Sequence, residues 1–99
     1  QFSPIPAYPP ALRDLAVVVD AATPAGELCG VAMKAGGKLL RNVGLFDVYT
    51  GKQVSKGKKS VALSHTFQSE DRTLTDKDTQ KAFDKIVKSL ERQFGAELR

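Results

Sequence analysis

Apolar residues fall along this chain in two periods, about two and about 3.6 residues. LAVVVD at Leu15 to Asp20 is a short β-branched run closed by an acidic, turn-prone residue, the pattern of a central strand. Thr23 then supplies an N-cap and Pro24 a preorganised first residue for a helix in which Leu28, Val31, Ala32 and Ala35 recur at helical spacing. Gly36 and Gly37 stop it. Residues 39–49, LLRNVGLFDVY, predict a second strand, and residues 60–68, SVALSHTFQ, a third. In the third, Val61, Leu63, His65 and Phe67 share one side and Ser60, Ala62, Ser64 and Thr66 the other. Thr75, with Asp78 three residues later as a capping-box variant, opens a second helix striped by Phe83, Ile86, Val87, Leu90 and Phe94. Gly95 ends that helix, and AELR is a short last strand.

The order βαββαβ predicts an α+β, ferredoxin-like fold: a four-stranded antiparallel sheet with two helices on one face, strands one and three central, strand two beside three. Residues 11–99 form this domain, and residues 1–10, with four prolines, read as an extended linker segment. Alternation assigns the faces. Leu15, Val17, Val19, Phe46, Val48, Val61, Leu63 and Phe67 are expected under the helices. Ala16, Val18, Asp47, Tyr49, Ser60, Ala62, Ser64 and Thr66 are left on the open side.

Composition narrows the chemistry. Ninety-nine residues with 41% hydrophobic content suit one domain. No apolar run reaches the ~18 residues needed to cross a bilayer, and the N-terminus lacks the order of a secretory signal, so the chain reads as soluble and intracellular. Cys29 is the only cysteine and His65 the only histidine, which disfavours metal and redox sites. The first residue is Gln, as expected of a fragment or a processed chain. The net charge of +4 is localised: residues 1–49 cancel, residues 70–99 cancel, and the excess lies in Lys52, Lys56, Lys58 and Lys59. That loop either attracts a polyanion or is an ordinary solvated turn. The cations of the second helix, Lys77, Lys81, Lys85, Lys88 and Arg92, are interspersed with Asp78, Asp84 and Glu91 and read as a mixed solvated face.

The open face, with small residues, one aromatic and a lysine loop at its edge, suits an unpaired base. Tyr49 could stack on it, Ser60 could hydrogen-bond its edge, and Ala16 leaves room for close approach. A carboxylate near RNA repels phosphate unless it accepts from a donor-rich base edge. Guanine offers N1–H and a 2-amino group, so Asp47 beside Tyr49 points to guanine. The same side chains also have a structural use, Tyr49 covering strand-edge backbone and Asp47 pairing with a lysine.

Five segments, in order, resemble the C-terminal ferredoxin-fold anticodon-binding domain of bacterial phenylalanyl-tRNA synthetase beta subunits: YPPALRDLAVVVD, LFDVYTG, GKKSVAL, TFQSEDRTLTD and FGAELR. The resemblance implies binding of the anticodon stem-loop of tRNA(Phe), whose anticodon begins with guanine. Carried over by position, the anticodon-binding residues are Ala16, Asp47, Tyr49 and Ser60. Lys52, Lys56, Lys58, Lys59 and Arg13 are candidates for the tRNA backbone, although Arg13 and Asp14 before a strand also suit a turn or an ion pair. The resemblance further implies no catalytic residue, metal or cofactor in this domain. Its parent would be a cytoplasmic, ATP- and magnesium-dependent ligase whose catalytic alpha subunit completes an (αβ)2 heterotetramer.

Other readings of the same fold are weaker. An RNA-recognition motif needs stacking rings on strand three, where KSVALSHTF offers serine and alanine. An acylphosphatase-like hydrolase needs a phosphate-cradling loop and a positioned asparagine, and Asn42 is the only asparagine. A protein-interaction or small-molecule regulatory domain remains the main alternative. His65 shares the parity of Leu63 and Phe67, as a packed histidine would, and Cys29 beside the first apolar stripe reads as packing.

Overall fold

The computed structural model describes residues 8–51 and 54–98. Its elements are β1 (Ala11–Asp20), α1 (Ala25–Gly36), a 3-10 turn (Gly37–Leu39), β2 (Leu40–Tyr49), β3 (Lys58–Phe67), α2 (Asp76–Phe94) and β4 (Glu97–Leu98). The sheet order is β2-β3-β1-β4, with every pairing antiparallel, which is the expected ferredoxin-like α+β arrangement. Residues 1–7 of the expected linker lie outside the described residues.

One face of the two central strands makes the core. Leu15, Val17 and Val19 of β1 and Val61, Leu63, His65 and Phe67 of β3 are all buried, as are Leu28 and Ala32 of α1 and Ile86 and Leu90 of α2. α2 is the better-defined helix at both ends. Thr75 Oγ1 accepts from the Asp78 N–H and Asp78 Oδ2 accepts from the Thr75 N–H, both at 3.1 Å, closing the capping box. At the other end Gly95 takes the left-handed conformation (φ 63°) and donates to the Glu91 carbonyl at 2.9 Å.

Three expectations change. β1 begins at Ala11 rather than Leu15, because Arg13 and Asp14 pair along β3 like the apolar residues after them. Backbone pairing tolerates charge wherever a side chain can reach water. Thr23 does not cap α1: Pro24 holds the cap position in extended geometry with no side-chain hydrogen bond. Phe46 and Val48, expected under the helices, are 59% and 47% exposed. The cause lies in β2, an edge strand with register shifts between Leu40 and Asn42 and between Leu45 and Asp47. Arg41 and Phe46 are the extra residues. Leu40 and Val43 reach the core, whereas the C-terminal part of β2 extends past it and leaves Leu45, Phe46 and Val48 in solvent.

A candidate nucleic-acid interface on the open sheet face

Strand register assembles the site from residues far apart in sequence. Asp47 lies opposite Ala62, which lies opposite Ala16; Tyr49 lies opposite Ser60, which lies opposite Val18. Directly paired residues point to the same face with Cβ atoms about 5 Å apart, and the next row on that face is two residues along. Asp47, Ala62 and Ala16 therefore form one row and Tyr49, Ser60 and Val18 the next, on the side away from the helices. Phe46 is the extra residue, so along the ladder Leu45 on the helix side is followed directly by Asp47 on the open side. Val43 and Leu45 point to the helix side at odd positions; after the extra residue, odd positions 47 and 49 point to the open side.

The patch is shallow and graded in depth. Asp47 is exposed and Ala16 half-buried, Tyr49 is 36% exposed, and Ser60, at 5%, is the floor rather than a projecting donor. The Tyr49 ring lies over Gly51, where a β-carbon would stand 2.6 Å from the tyrosine Oη and 2.9 Å from Cζ. Gly51 is therefore the residue whose lack of a side chain lets the ring take this position.

A family model described as "Ferredoxin-fold anticodon binding domain" matches residues 6–99. The chain belongs to that family. It is 50% identical over its whole length to the "Phenylalanine--tRNA ligase beta subunit" of Moorella thermoacetica, and 46% and 44% identical over 99% and 100% of its length to beta subunits of that name from Bacillus cereus and Clostridium acetobutylicum. It spans about 12% of the length of each of these relatives.

In this anticodon-binding domain the candidate backbone cations do not form one cluster. Lys52 lies outside the described residues. Lys56 is exposed on the β2–β3 loop. Lys58, one row beyond Ser60 on the open side, pairs with Asp20 at 2.8 Å, and that hydrogen bond and charge hold its ammonium above the usual lysine range. Lys59 lies opposite Val19 and so points to the helix side. Arg13, opposite His65, also lies on the helix side; its guanidinium donates to the Leu12 carbonyl at 2.9 Å and approaches Asp76 at 3.8 Å. The structure thus brings Ala16, Asp47, Tyr49 and Ser60 together and separates Arg13 from them.

The loop also holds an anchor that the charge pattern conceals. Val54 is 8% exposed although it sits among lysines and polar residues, and its N–H donates to the Gly51 carbonyl at 3.1 Å. Gly57 (φ 82°) turns the chain into β3, and its carbonyl accepts from the Ala21 N–H at 2.9 Å, bracing this loop on the β1–α1 connection. Val54 is the one apolar side chain in TGKQVSKGKK, and that isolation is the signal of an anchor in the sequence. Among the described residues no group of three His, Cys, Asp or Glu could hold a metal ion, and no helix is long and apolar enough to cross a membrane.

Proposed function

We propose that this domain reads the anticodon loop of tRNA(Phe) on its open sheet face. The juxtaposition of Asp47, Tyr49, Ser60 and Ala16 in two neighbouring rows carries the reading. An unpaired guanine lies across the rows: Tyr49 stacks on the base, Asp47 accepts from N1–H and the 2-amino group, and Ser60 contributes its hydroxyl from the floor. Ala16 keeps the far side of the patch low. Membership in an anticodon-binding family and the similarity to phenylalanine–tRNA ligase beta subunits support a tRNA-binding role.

In the same reading the domain is the C-terminal part of a cytoplasmic ligase and performs no bond chemistry. The parent's catalytic alpha subunit, in an (αβ)2 assembly, uses ATP and magnesium. Lys56 and Lys58 strengthen encounter with the tRNA backbone, and they account for its salt dependence rather than its base preference.

An NMR titration of the labelled domain tests this, using the tRNA(Phe) anticodon stem-loop and a copy with adenine as the first anticodon base, at fixed moderate salt. The expected result is a set of shifts at Ala16, Asp47, Tyr49 and Ser60 that is stronger for guanine. Equal shifts confined to the lysine loop reduce the interaction to backbone electrostatics. No shift with either RNA turns the reading toward a protein-interaction module, for which exposed Leu45, Phe46 and Val48 are the available contacts.

A further inference from the structure

The far side of the molecule carries a second electropositive feature, built from α2 and from Lys38 of the 3-10 turn. At 3.6 residues per turn, Lys77, Lys88, Lys81, Arg92 and Lys85 fall within an arc of roughly 80° on α2. The mixed face expected from composition is therefore a sorted one: Asp84 and Glu91 lie at one margin of the arc, and Asp78 at the other is engaged by Arg72 and the Thr75 N–H. None of the ion pairs within 4.0 Å among the described residues takes up Lys81, Lys85, Lys88 or Arg92. All four are exposed.

These cations border a groove between α2 and the C-terminal end of α1. One part, with a cavity volume of about 310 Å³, is lined by Lys38, Lys81, Lys85 and Asp78 over a floor that includes Ala35, Gly36, Gly37 and Ala82. A second, about 280 Å³, is lined by Lys85, Lys88 and Arg92 over Ala35 and Ser89. The two parts share Ala35 and Lys85 and so adjoin along the α1–α2 seam. From Lys81 to Arg92 the helix rises about 16 Å.

From this geometry we infer that the α1–α2 groove is a second RNA surface, which holds the sugar–phosphate backbone of a single strand by charge, without reading bases. The occupant follows from the lining. A protein partner would use large apolar or aromatic anchors in the groove, whereas its floor is alanine, glycine and serine, with Leu39 the only large apolar residue. A positively charged groove of this kind tracks the backbone of one strand. The row of cations, recurring every three or four residues, matches a repeating anionic chain. Because the sheet lies between this groove and the Asp47–Tyr49 rows, the strand it holds is a different segment from the one on the open face. The inference stands whether or not the open face reads an anticodon.

The test is an NMR and anisotropy titration of the 99-residue chain with an oligouridine of about a dozen nucleotides at several salt concentrations. Shifts are expected at Gly36, Lys38, Lys81, Lys85 and Ser89. In Lys85→Glu/Lys88→Glu those shifts should vanish and affinity fall at least about tenfold. In Lys85→Gln/Lys88→Gln the salt slope should drop by roughly 1.4, about 0.7 for each phosphate of a single strand that is no longer neutralised. A Tyr49→Ala variant should keep the groove shifts, which separates this surface from the open face. Shifts confined to the sheet face or the β2–β3 loop would overturn the inference. So would equal groove shifts with a poly-glutamate peptide, which would assign the surface to acidic proteins.

Discussion

His65 is 1% exposed, and its ring is held by three neighbours. Nδ1 donates to the Arg13 carbonyl at 3.2 Å, Phe67 stacks at 6.2 Å between ring centres, and Phe83 meets it edge-on at 5.6 Å. Nε2 is buried with no hydrogen-bond partner among the described residues. Burial lowers the imidazole below its ordinary 6.5, against smaller opposing contributions from the Arg13 carbonyl and Asp14. The unfolded chain therefore takes up a proton that the folded one refuses, and the His65 contribution, complete above about pH 6.5, is lost as pH falls toward the lowered folded value. His65→Phe should flatten the melting temperature between about pH 7 and pH 5, measured by thermal denaturation at constant ionic strength. An unchanged slope would place the titrating group elsewhere. Asp78 acts in a separate window. Hydrogen bonds from Arg72 and Thr75 hold its carboxyl at about 2, so its stabilisation, present above 3.8, disappears as pH approaches 2. Thr75→Ala removes one side of the capping box and should cost about 1 kcal/mol in urea unfolding.

At the scale of elements, α2 and β3 are legible in the sequence because their local signals agree with their packing: a capping box, an apolar stripe, and strict alternation on a strand buried between two others. The Asp47–Tyr49 side of the candidate site is legible too, since Phe46-Asp47-Val48-Tyr49 alternates correctly after the shift. Local pattern does not show where the helix layer ends, so Phe46 and Val48 alternate like covered residues and yet lack a cover. Nor does it show the Lys58–Asp20 pair, which joins residues 38 apart and removes one member from the apparent lysine cluster. The sorted arc on α2 is present in the residue numbers, but it emerges only when the charges are projected onto the helix. The α1–β2 corner makes a further expectation. A β-carbon at Gly36 would stand 2.6 Å from Cβ of Leu40, an atom fixed by its backbone. Gly36→Ala should therefore destabilise by roughly 1–3 kcal/mol in denaturant melts, despite the better helix propensity of alanine. Leu90→Ala, which empties a site at 0% exposure, should cost about 2–5 kcal/mol.

As a whole, the molecule separates its surfaces by layer, with small residues and one ring on the open sheet, cations along the helical groove, and exposed apolar side chains on the outer edge strand. The last of these would ordinarily be a hazard. Leu45, Phe46 and Val48 line a ten-residue strand with an unpaired flank, a template onto which a second copy could add its own strand. The extra residues Arg41 and Phe46 interrupt the even spacing of amide and carbonyl groups that such a copy would need. Deleting both would leave the facing of Asp47 and Tyr49 unchanged, because residues on either side already pair with successive positions of β3. The straightened edge should then self-associate, seen as concentration-dependent growth in light scattering. The two irregularities thus interrupt the template that an apolar edge strand would otherwise offer.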